Sequence, residues 1–242
     1  MTIRLGVILP PTNVTCEIEF PMFLPRGIVP HFNRLSRPDT EITKSSLLAM
    51  EATVERAAAD LRELRPKAIL YACTAATFLG GGGHDREIGD RVEAATGIPG
   101  ITTSSAIIDA FETMGIKSVF MVSPYLGEVR AGAIDFLAYH GIKTIGDFTF
   151  GHTNSLQNWT RTSGEIADVI RAHMDQLSNA DAVFSSCTNL RSIDQIVSLE
   201  DDLQIPVISS NSATIWRGLK AIDDGLTEAR LGELGRRRLR CH

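Results

Sequence analysis

The chain has 242 residues, of which 43% are hydrophobic and 22% are charged, as is usual for a globular protein. Because 24 basic residues stand against 29 acidic ones, the formal net charge is −5 at pH 7, which argues against binding to nucleic acid or to an anionic membrane surface. No segment has the roughly 18 uninterrupted apolar residues of a membrane-spanning helix.

Short apolar runs alternate along the chain with stretches of helical spacing. In chain order, the predicted elements are a strand at residues 3–10, a helix at 45–64, a strand at 67–72, a helix at 85–97, a strand at 98–103, a helix at 104–115, a strand at 117–124, helices at 126–141 and 162–177, a strand at 181–186, and a strand followed by a helix within 204–222. Strands that alternate with helices predict an α/β fold with parallel sheets flanked by helices.

Three segments recur in the same order in the second half of the chain. RLGVILPPTN pairs with KSVFMVSPYL, KAILYACTAA with AVFSSCTNLR, and GIPGITTSSAIIDAFETMG with QIPVISSNSATIWRGLKAI. The repeat predicts two similar Rossmann-like domains related by a pseudo-twofold, with the functional site between them. We expect the first domain to comprise residues 1–103 plus 210–242 and the second to comprise 104–209.

The beginning of the chain, MTIRLGVILPP, lacks the basic region and cleavage site of a signal peptide and is typical of a first strand. We therefore expect a cytoplasmic protein with reduced thiols. The four cysteines, Cys16, Cys73, Cys187 and Cys241, do not have the spacing of zinc ligands, and the sequence has no dinucleotide fingerprint or phosphate loop. We expect that the protein needs no metal and no organic cofactor.

Two of the cysteines, Cys73 and Cys187, follow equivalent strands of the repeat. Ligands of parallel α/β sheets bind beyond the carboxyl ends of the strands, so the two thiols are expected to converge on one cleft. Each is followed by a turn-like segment into a helix, which would lower its pKa. Because Cys73 precedes a glycine-rich segment, we expect it to be the more accessible thiol and the nucleophile. The alternative is that both are buried packing residues.

Polar side chains near the same strand ends are candidates for ligand binding. Asn13 follows the first strand, and Tyr125 lies at the corresponding end in the second half. Asn154, in the polar segment at residues 151–159, is a weaker candidate of the same kind. The LGGGGHDRE segment lacks the lysine of a phosphate loop and is interpreted as a flap over the cleft, with His84 as a candidate proton donor or acceptor. Cys16 and Cys241 are given no role.

The segments ACTAA and SCTNL resemble the two cysteine motifs of the aspartate/glutamate racemase superfamily. The opening RLGVILPPTNVTCEIEFP resembles the maleate cis-trans isomerase and arylmalonate decarboxylase branch of that superfamily. The resemblance implies that Cys73 adds to the double bond of the substrate and that Cys187 is its acid/base partner. It also implies that Asn13, Tyr125 and Asn154 bind the carboxylates of the substrate. Residues that follow the two cysteines are further candidates for substrate binding, namely Thr74, Ala75, Thr188 and Asn189.

The resemblance thus predicts a cofactor-independent isomerase of a small dicarboxylate. Decarboxylases of the branch keep only the second cysteine, whereas this chain has both. Thr74 and Thr188 follow the cysteines, as in amino-acid racemases and in relatives associated with ectoine breakdown, so a racemase or an ectoine-related enzyme is the alternative. A decarboxylase or a non-enzymatic binding protein for small acids is less favoured. The expected partner is a small carboxylate substrate, and assembly of the chain into a homo-oligomer is left open.

Overall fold

The computed structural model describes residues 2–223 and 225–238, with eight strands in two four-stranded sheets. In both sheets every pair of neighbouring strands is parallel. The strands are β1 (Ile3–Leu9), β2 (Ile28–Arg34), β3 (Ile69–Tyr71), β4 (Gly100–Thr102), β5 (Ser118–Ser123), β6 (Lys143–Thr149), β7 (Ala182–Ser185) and β8 (Val207–Ser209). The strand order is β2-β1-β3-β4 in the first sheet and β6-β5-β7-β8 in the second.

Eleven α-helices occur in the described part of the chain, mostly between successive strands. They are α1 (Thr15–Phe23), α2 (Lys44–Glu51), α3 (Val54–Arg62), α4 (Thr74–Leu79), α5 (His84–Thr96), α6 (Thr103–Met114), α7 (Gly127–Tyr139), α8 (Ser163–Ala172), α9 (Ile196–Leu203), α10 (Ser210–Ile222) and α11 (Gly232–Gly235). Short 3-10 helices cover Ser155–Thr160, Met174–Asn179, Ile193–Gln195 and Ala229–Leu231. Within the described residues, no helix is both long and apolar enough to cross a membrane.

The two sheets have the same strand order, because β5, β6, β7 and β8 take the places of β1, β2, β3 and β4. This confirms the predicted α/β fold with parallel sheets flanked by helices, and the paired segments of the repeat form equivalent elements. The boundaries expected for the two domains, 1–103 plus 210–242 and 104–209, remain a prediction.

The sequence patterns did not predict β2 and β6, which are edge strands of the two sheets. Most of their residues are only partly buried, so they lack the continuous apolar run of the central strands. In β2 the run is also interrupted by Pro30, which has no backbone N–H and is tolerated in a strand mainly at an edge.

The single helix predicted at residues 45–64 is wrong, because α2 ends at Glu51 and α3 begins at Val54. The Thr53 hydroxyl donates to the carbonyl of Met50 at 2.9 Å, and such local bonds compete with helix continuation. The helix predicted at 162–177 is also shorter in the structure, since α8 ends at Ala172 and a 3-10 helix begins at Met174.

The repeat-equivalent helices α6 and α10 lie against each other and join the two halves. The hydroxyls of Thr103 and Thr214 meet at 2.8 Å in this contact, where both side chains are fully buried. On α10, Gly218 lies close to Leu70 of β3, so a Cβ there would come within 3.1 Å of the leucine side chain. These contacts bring the carboxyl ends of the strands of both sheets to a common region.

Candidate active site

A cavity lies where the chain leaves β1, β3, β5 and β7, so both sheets contribute to it. Its empty volume, which includes space open to solvent, is about 440 Å³. The lining residues are Pro10, Thr12, Asn13, Arg37, Ile42, Leu47, Cys73, Thr74, Ala75, Tyr125, Ser155, Asn158, Cys187, Thr188 and Asn189. This volume suits a ligand of a few heavy atoms with polar groups.

The two thiols line this cavity from equivalent positions. Cys73 comes two residues after β3 ends, and Cys187 comes two residues after β7 ends. The exposed fraction is 4% for Cys73 and 8% for Cys187, so the expectation that Cys73 is the more accessible thiol is wrong. Cys73 precedes the first residue of α4, whereas Cys187 is followed by turns and not by a helix.

The expected lowering of both thiol pKa values is also wrong. Burial raises the pKa of Cys73 to about 12, although the amide of Ala76 opposes this shift. Burial raises the pKa of Cys187 to about 11, against the effect of the Asn189 amide and the Tyr125 hydroxyl. Loss of hydration outweighs the few amides at each sulfur, so both thiols are protonated in the empty cavity at neutral pH.

Tyr125 and Asn158 lie beside Cys187. The Tyr125 side chain is 2% exposed, and its hydroxyl lies close enough to the Cys187 sulfur to oppose the rise in the pKa of that thiol, without meeting the geometry of a hydrogen bond to a described residue. The Asn158 amide Nδ2 lies 3.7 Å from the Cys187 sulfur, and its Oδ1 lies 2.9 Å from Nδ1 of His152. Asn158 was missed in the sequence, although it lies in the polar segment that was singled out.

Asn154, the residue chosen from that segment, does not line the cavity. Its Oδ1 accepts from the amide of Leu156 at 2.9 Å, and its Nδ2 donates to the Thr40 hydroxyl at 2.7 Å. It therefore begins the 3-10 helix as a cap, which is the common use of asparagine at a helix start. One turn later in this helix, Asn158 points to the thiol instead.

Asn13 and Thr188 connect the two halves at the cavity wall. The Asn13 Nδ2 donates to the Thr188 hydroxyl at 3.0 Å, and its Oδ1 accepts from the amide of Cys16 at 3.0 Å. The Thr188 hydroxyl in turn donates to the carbonyl of Ala72 at 3.1 Å. Thr188 thus ties the loop of one thiol to the loop of the other, and Asn13 keeps one N–H for a ligand.

Asn189 and Thr74 also line the cavity, with their polar groups bonded to protein. The Asn189 Oδ1 accepts from the amides of Val14 and Thr15, and its Nδ2 donates to the carbonyl of Thr12. The Thr74 hydroxyl donates to Ser210, and that Ser210 oxygen accepts from the Cys187 amide at 3.1 Å. Ala75, next to Thr74, adds a methyl group to the wall.

A buried carboxylate that the sequence analysis missed holds the loop that follows Cys187. Glu19, on α1, is 1% exposed and accepts from the amides of Ser192 and Ile193 at 2.8 and 2.9 Å. It also accepts from Nδ2 of Asn211 at 2.6 Å, and Asn211 Oδ1 accepts from the Cys16 thiol at 3.3 Å. Burial raises the pKa of Glu19 to about 7. Cys16 is therefore part of this support and does not line the cavity.

The glycine-rich segment does not cover the cavity, contrary to the interpretation as a flap. Gly81 and Gly82 line a separate hollow beside the exposed ring of Tyr139. A Cβ on Gly80 would lie 1.9 Å from the ring of His84, so glycine is needed there for close approach. His84 contacts Glu51 at 2.7 Å at the start of α5.

In the described residues, no group of three or more His, Cys, Asp or Glu side chains could hold a metal ion. The expectation of a cofactor-independent protein stays a prediction. Cys241 lies outside the described residues.

Comparisons with known proteins agree with the fold of the chain. A family model described as arylmalonate decarboxylase matches residues 5–234. The maleate isomerase of Geobacillus stearothermophilus is 26% identical over 234 residues, which cover 91% of this chain and 92% of that protein. The maleate isomerase of Nocardia farcinica is 28% identical over 228 residues, covering 91% and 90%. The crystal structure of a cysteine-to-alanine variant of the maleate isomerase from Pseudomonas putida S16, with maleate, has a TM-score of 0.90 at 25% identity and covers 98% of this chain and 99% of that one.

Proposed function

The chain belongs to the arylmalonate decarboxylase family, and we propose that it is a member that catalyses the cis-trans isomerisation of a small unsaturated dicarboxylate such as maleate. The observation that carries the proposal is the pair of buried thiols, Cys73 and Cys187, which line one small cavity from equivalent strand ends. Relatives named maleate isomerase match this chain over nine-tenths of its length.

The proposed reaction uses Cys73 as nucleophile and Cys187 as acid and base. The reaction starts from the form in which one proton has been released to solvent, Cys73 is the thiolate and Cys187 keeps the remaining proton, although in the empty cavity the lower pKa of Cys187 favours the opposite arrangement. The Cys73 sulfur forms a bond to one alkene carbon, and Cys187 gives its proton to the other. The resulting single bond rotates. Cys187 then takes the proton back, the carbon–sulfur bond breaks, and the trans product leaves with the thiol pair restored.

The groups that remain free in the cavity are suited to the carboxylates of the substrate. The Tyr125 hydroxyl makes no hydrogen bond to the described residues, and Asn13 keeps one N–H of its side-chain amide for a ligand. We assign the carboxylate-binding role first expected for Asn154 to Asn158, which lies beside the Cys187 sulfur. Such donors also stabilise the negative charge that develops on a carboxylate as the thiolate adds.

Thr74, Thr188 and Asn189 have a different role in this proposal. Their polar groups already bond to protein atoms, so they hold the two thiol loops in place more than they bind substrate. Ala75 shapes the wall beside Cys73. Because reaction requires the attacking atom within roughly 3–3.5 Å of the carbon, small displacements of these loops should be costly.

An amino-acid racemase is the alternative reaction for two thiols on one cavity. The one charged side chain among the described lining residues is the cation Arg37, which suits the carboxylates of maleate and of aspartate or glutamate alike. The isomerase is favoured instead by the relatives named maleate isomerase.

The proposal is tested by proton NMR of the purified protein with maleate in deuterated water. Fumarate should form with the wild-type chain, and Cys73→Ala and Cys187→Ala should each lower the rate by at least about a hundredfold, the lower end of what general acid-base catalysis contributes. Cys241→Ala is the matched cysteine control and should retain the activity. If fumarate does not form but aspartate or glutamate exchanges its α-proton, the chain is a racemase and the proposal is wrong.

A further inference from the structure

Arg37 brings a positive charge into the cavity, where the other described lining residues are neutral. It lies in the connection between β2 and α2, outside every motif that the sequence analysis singled out. An unpaired guanidinium in a partly buried site is costly unless something compensates its charge.

The protein fixes the Arg37 side chain without a direct ion pair to a described residue, and the Asp39 carboxylate acts on its charge only from a distance. Nη2 donates to the Ser155 hydroxyl at 2.6 Å, and Nε donates to the backbone carbonyl of Asp39 at 2.6 Å. Both acceptors are uncharged, and Nη1 donates to none of the described residues. The Asp39 carboxylate accepts from the hydroxyl of Ser46 and from the amide of Glu41 instead. Arg37 is thus held in one orientation with a free N–H edge, as in sites that bind carboxylates.

Arg37 lines the same cavity as both thiols. Its charge opposes the rise in the pKa of Cys73 that burial causes, and its hydrogen bond to Ser155 places it at the start of the 3-10 helix that also carries Asn158. The Tyr125 hydroxyl and the Asn158 amide lie beside Cys187. The cavity therefore combines one cation with neutral hydrogen-bonding groups.

We propose that Arg37 binds one carboxylate of a small dicarboxylate in the cavity, so that the other carboxylate is left to Tyr125 and Asn158 and the carbon chain lies between the two thiols. The subsequent isomerisation rests on the proposed function, but the binding does not. In addition, the same cation stabilises the Cys73 thiolate when the sulfur attacks.

Binding of succinate, a saturated dicarboxylate that cannot isomerise, tests the proposal by calorimetry. Hydrogen bonds between charged groups contribute about 1.5–3 kcal/mol, so Arg37→Gln should weaken succinate binding about 10- to 100-fold. The glutamine keeps a donor for Ser155, so the connection should stay folded. Arg37→Lys, which keeps the charge but not the planar fork, should bind with intermediate affinity. Arg26→Gln, at an exposed position away from the cavity, is the matched control and should bind as the wild type does.

The outcomes separate this proposal from the reaction. In turnover of maleate, Arg37→Gln should raise KM through the lost binding of the carboxylate and lower kcat through the lost stabilisation of the Cys73 thiolate. Wild-type binding of succinate without any turnover of maleate would contradict the isomerase and leave the role of Arg37 intact. Unchanged succinate affinity in Arg37→Gln would overturn the role of Arg37, and so would a wild-type chain that does not bind succinate at millimolar concentration. If Arg37→Gln fails to fold, a loss above a hundredfold in Arg37→Lys would overturn it as well.

Discussion

Replacing Thr188 by valine should test how strongly one hydroxyl holds the two thiol loops together. Valine has nearly the same shape, so the change removes the hydroxyl and little else. The Ala72 carbonyl then loses its donor, and Asn13 Nδ2 loses its acceptor, in a place where Thr188 is 3% exposed. Each buried group left without a partner costs about 1–3 kcal/mol. The free energy of unfolding should therefore fall by about 2–6 kcal/mol.

Urea titration and thermal unfolding measure this loss. For a chain of this size, 1 kcal/mol corresponds to about 2–4 °C, so the Tm should fall by at least about 4 °C. Thr160→Val is the matched control, because the Thr160 hydroxyl donates to the Gln157 carbonyl at an exposed position where water can replace it. It should stay within about 0.5 kcal/mol of the wild type. A Thr188→Val variant as stable as this control would refute the reasoning.

Burial and close packing lead to three further predictions. Iodoacetamide should modify Cys187 before Cys73 in the empty protein, because Cys187 is the less buried thiol and the Asn189 amide and the Tyr125 hydroxyl oppose the rise in its pKa; peptide mass mapping that finds Cys73 labelled first would contradict this. Burial raises the folded-state pKa of Glu19 from 4.5 to about 7. The protonated Glu19 therefore contributes its full share of the free energy of unfolding below pH 4.5, and this contribution is lost as the pH rises through 7. The wild type should lose about 3 kcal/mol of unfolding free energy relative to Glu19→Gln over that window, and parallel pH profiles in urea titrations would show that Glu19 does not titrate there. Gly100→Ala should lower the free energy of unfolding by about 1–3 kcal/mol in the same assay, because its Cβ would lie 2.2 Å from a backbone carbonyl of α5. The control Gly164→Ala, whose Cβ would make no close contact, should not lower it. Equal stability of the two variants would refute the packing argument.

The central strands and the positions of the thiols could be predicted because both depend on local pattern. The buried runs before Cys73 and Cys187 predict strands, and parallel strands direct the residues after their carboxyl ends to one edge of the sheet. Topology alone then brings the two thiols together. The helix starts expected after both cysteines were half right, since α4 follows Cys73 directly but only turns follow Cys187.

The pKa values and the supporting residues could not be read from the sequence. The pKa of each thiol depends on how many atoms bury it, which is a property of the packed chain and not of the residues beside it. Glu19 and Arg37 come from connections and helices far from the cysteines in sequence, and their partners, such as Ser192 and Ser155, lie more than 100 residues away. A polar pattern indicated the segment that holds Asn158, but only the turn geometry decides which asparagine faces the thiol.

The shared strand order of the two sheets has a consequence for how the two sides of the cavity can differ. Had two identical half-length subunits enclosed the cavity across an exact symmetry axis, every group on one side would recur on the other, and both thiols would have one and the same environment. Because a single chain supplies both sides, each side can change by itself. Arg37 opposes the rise in the pKa of Cys73, whereas a phenol and an amide oppose that of Cys187. The proposed division of labour, in which one thiol attacks and the other carries a proton, needs two sides that differ in this way.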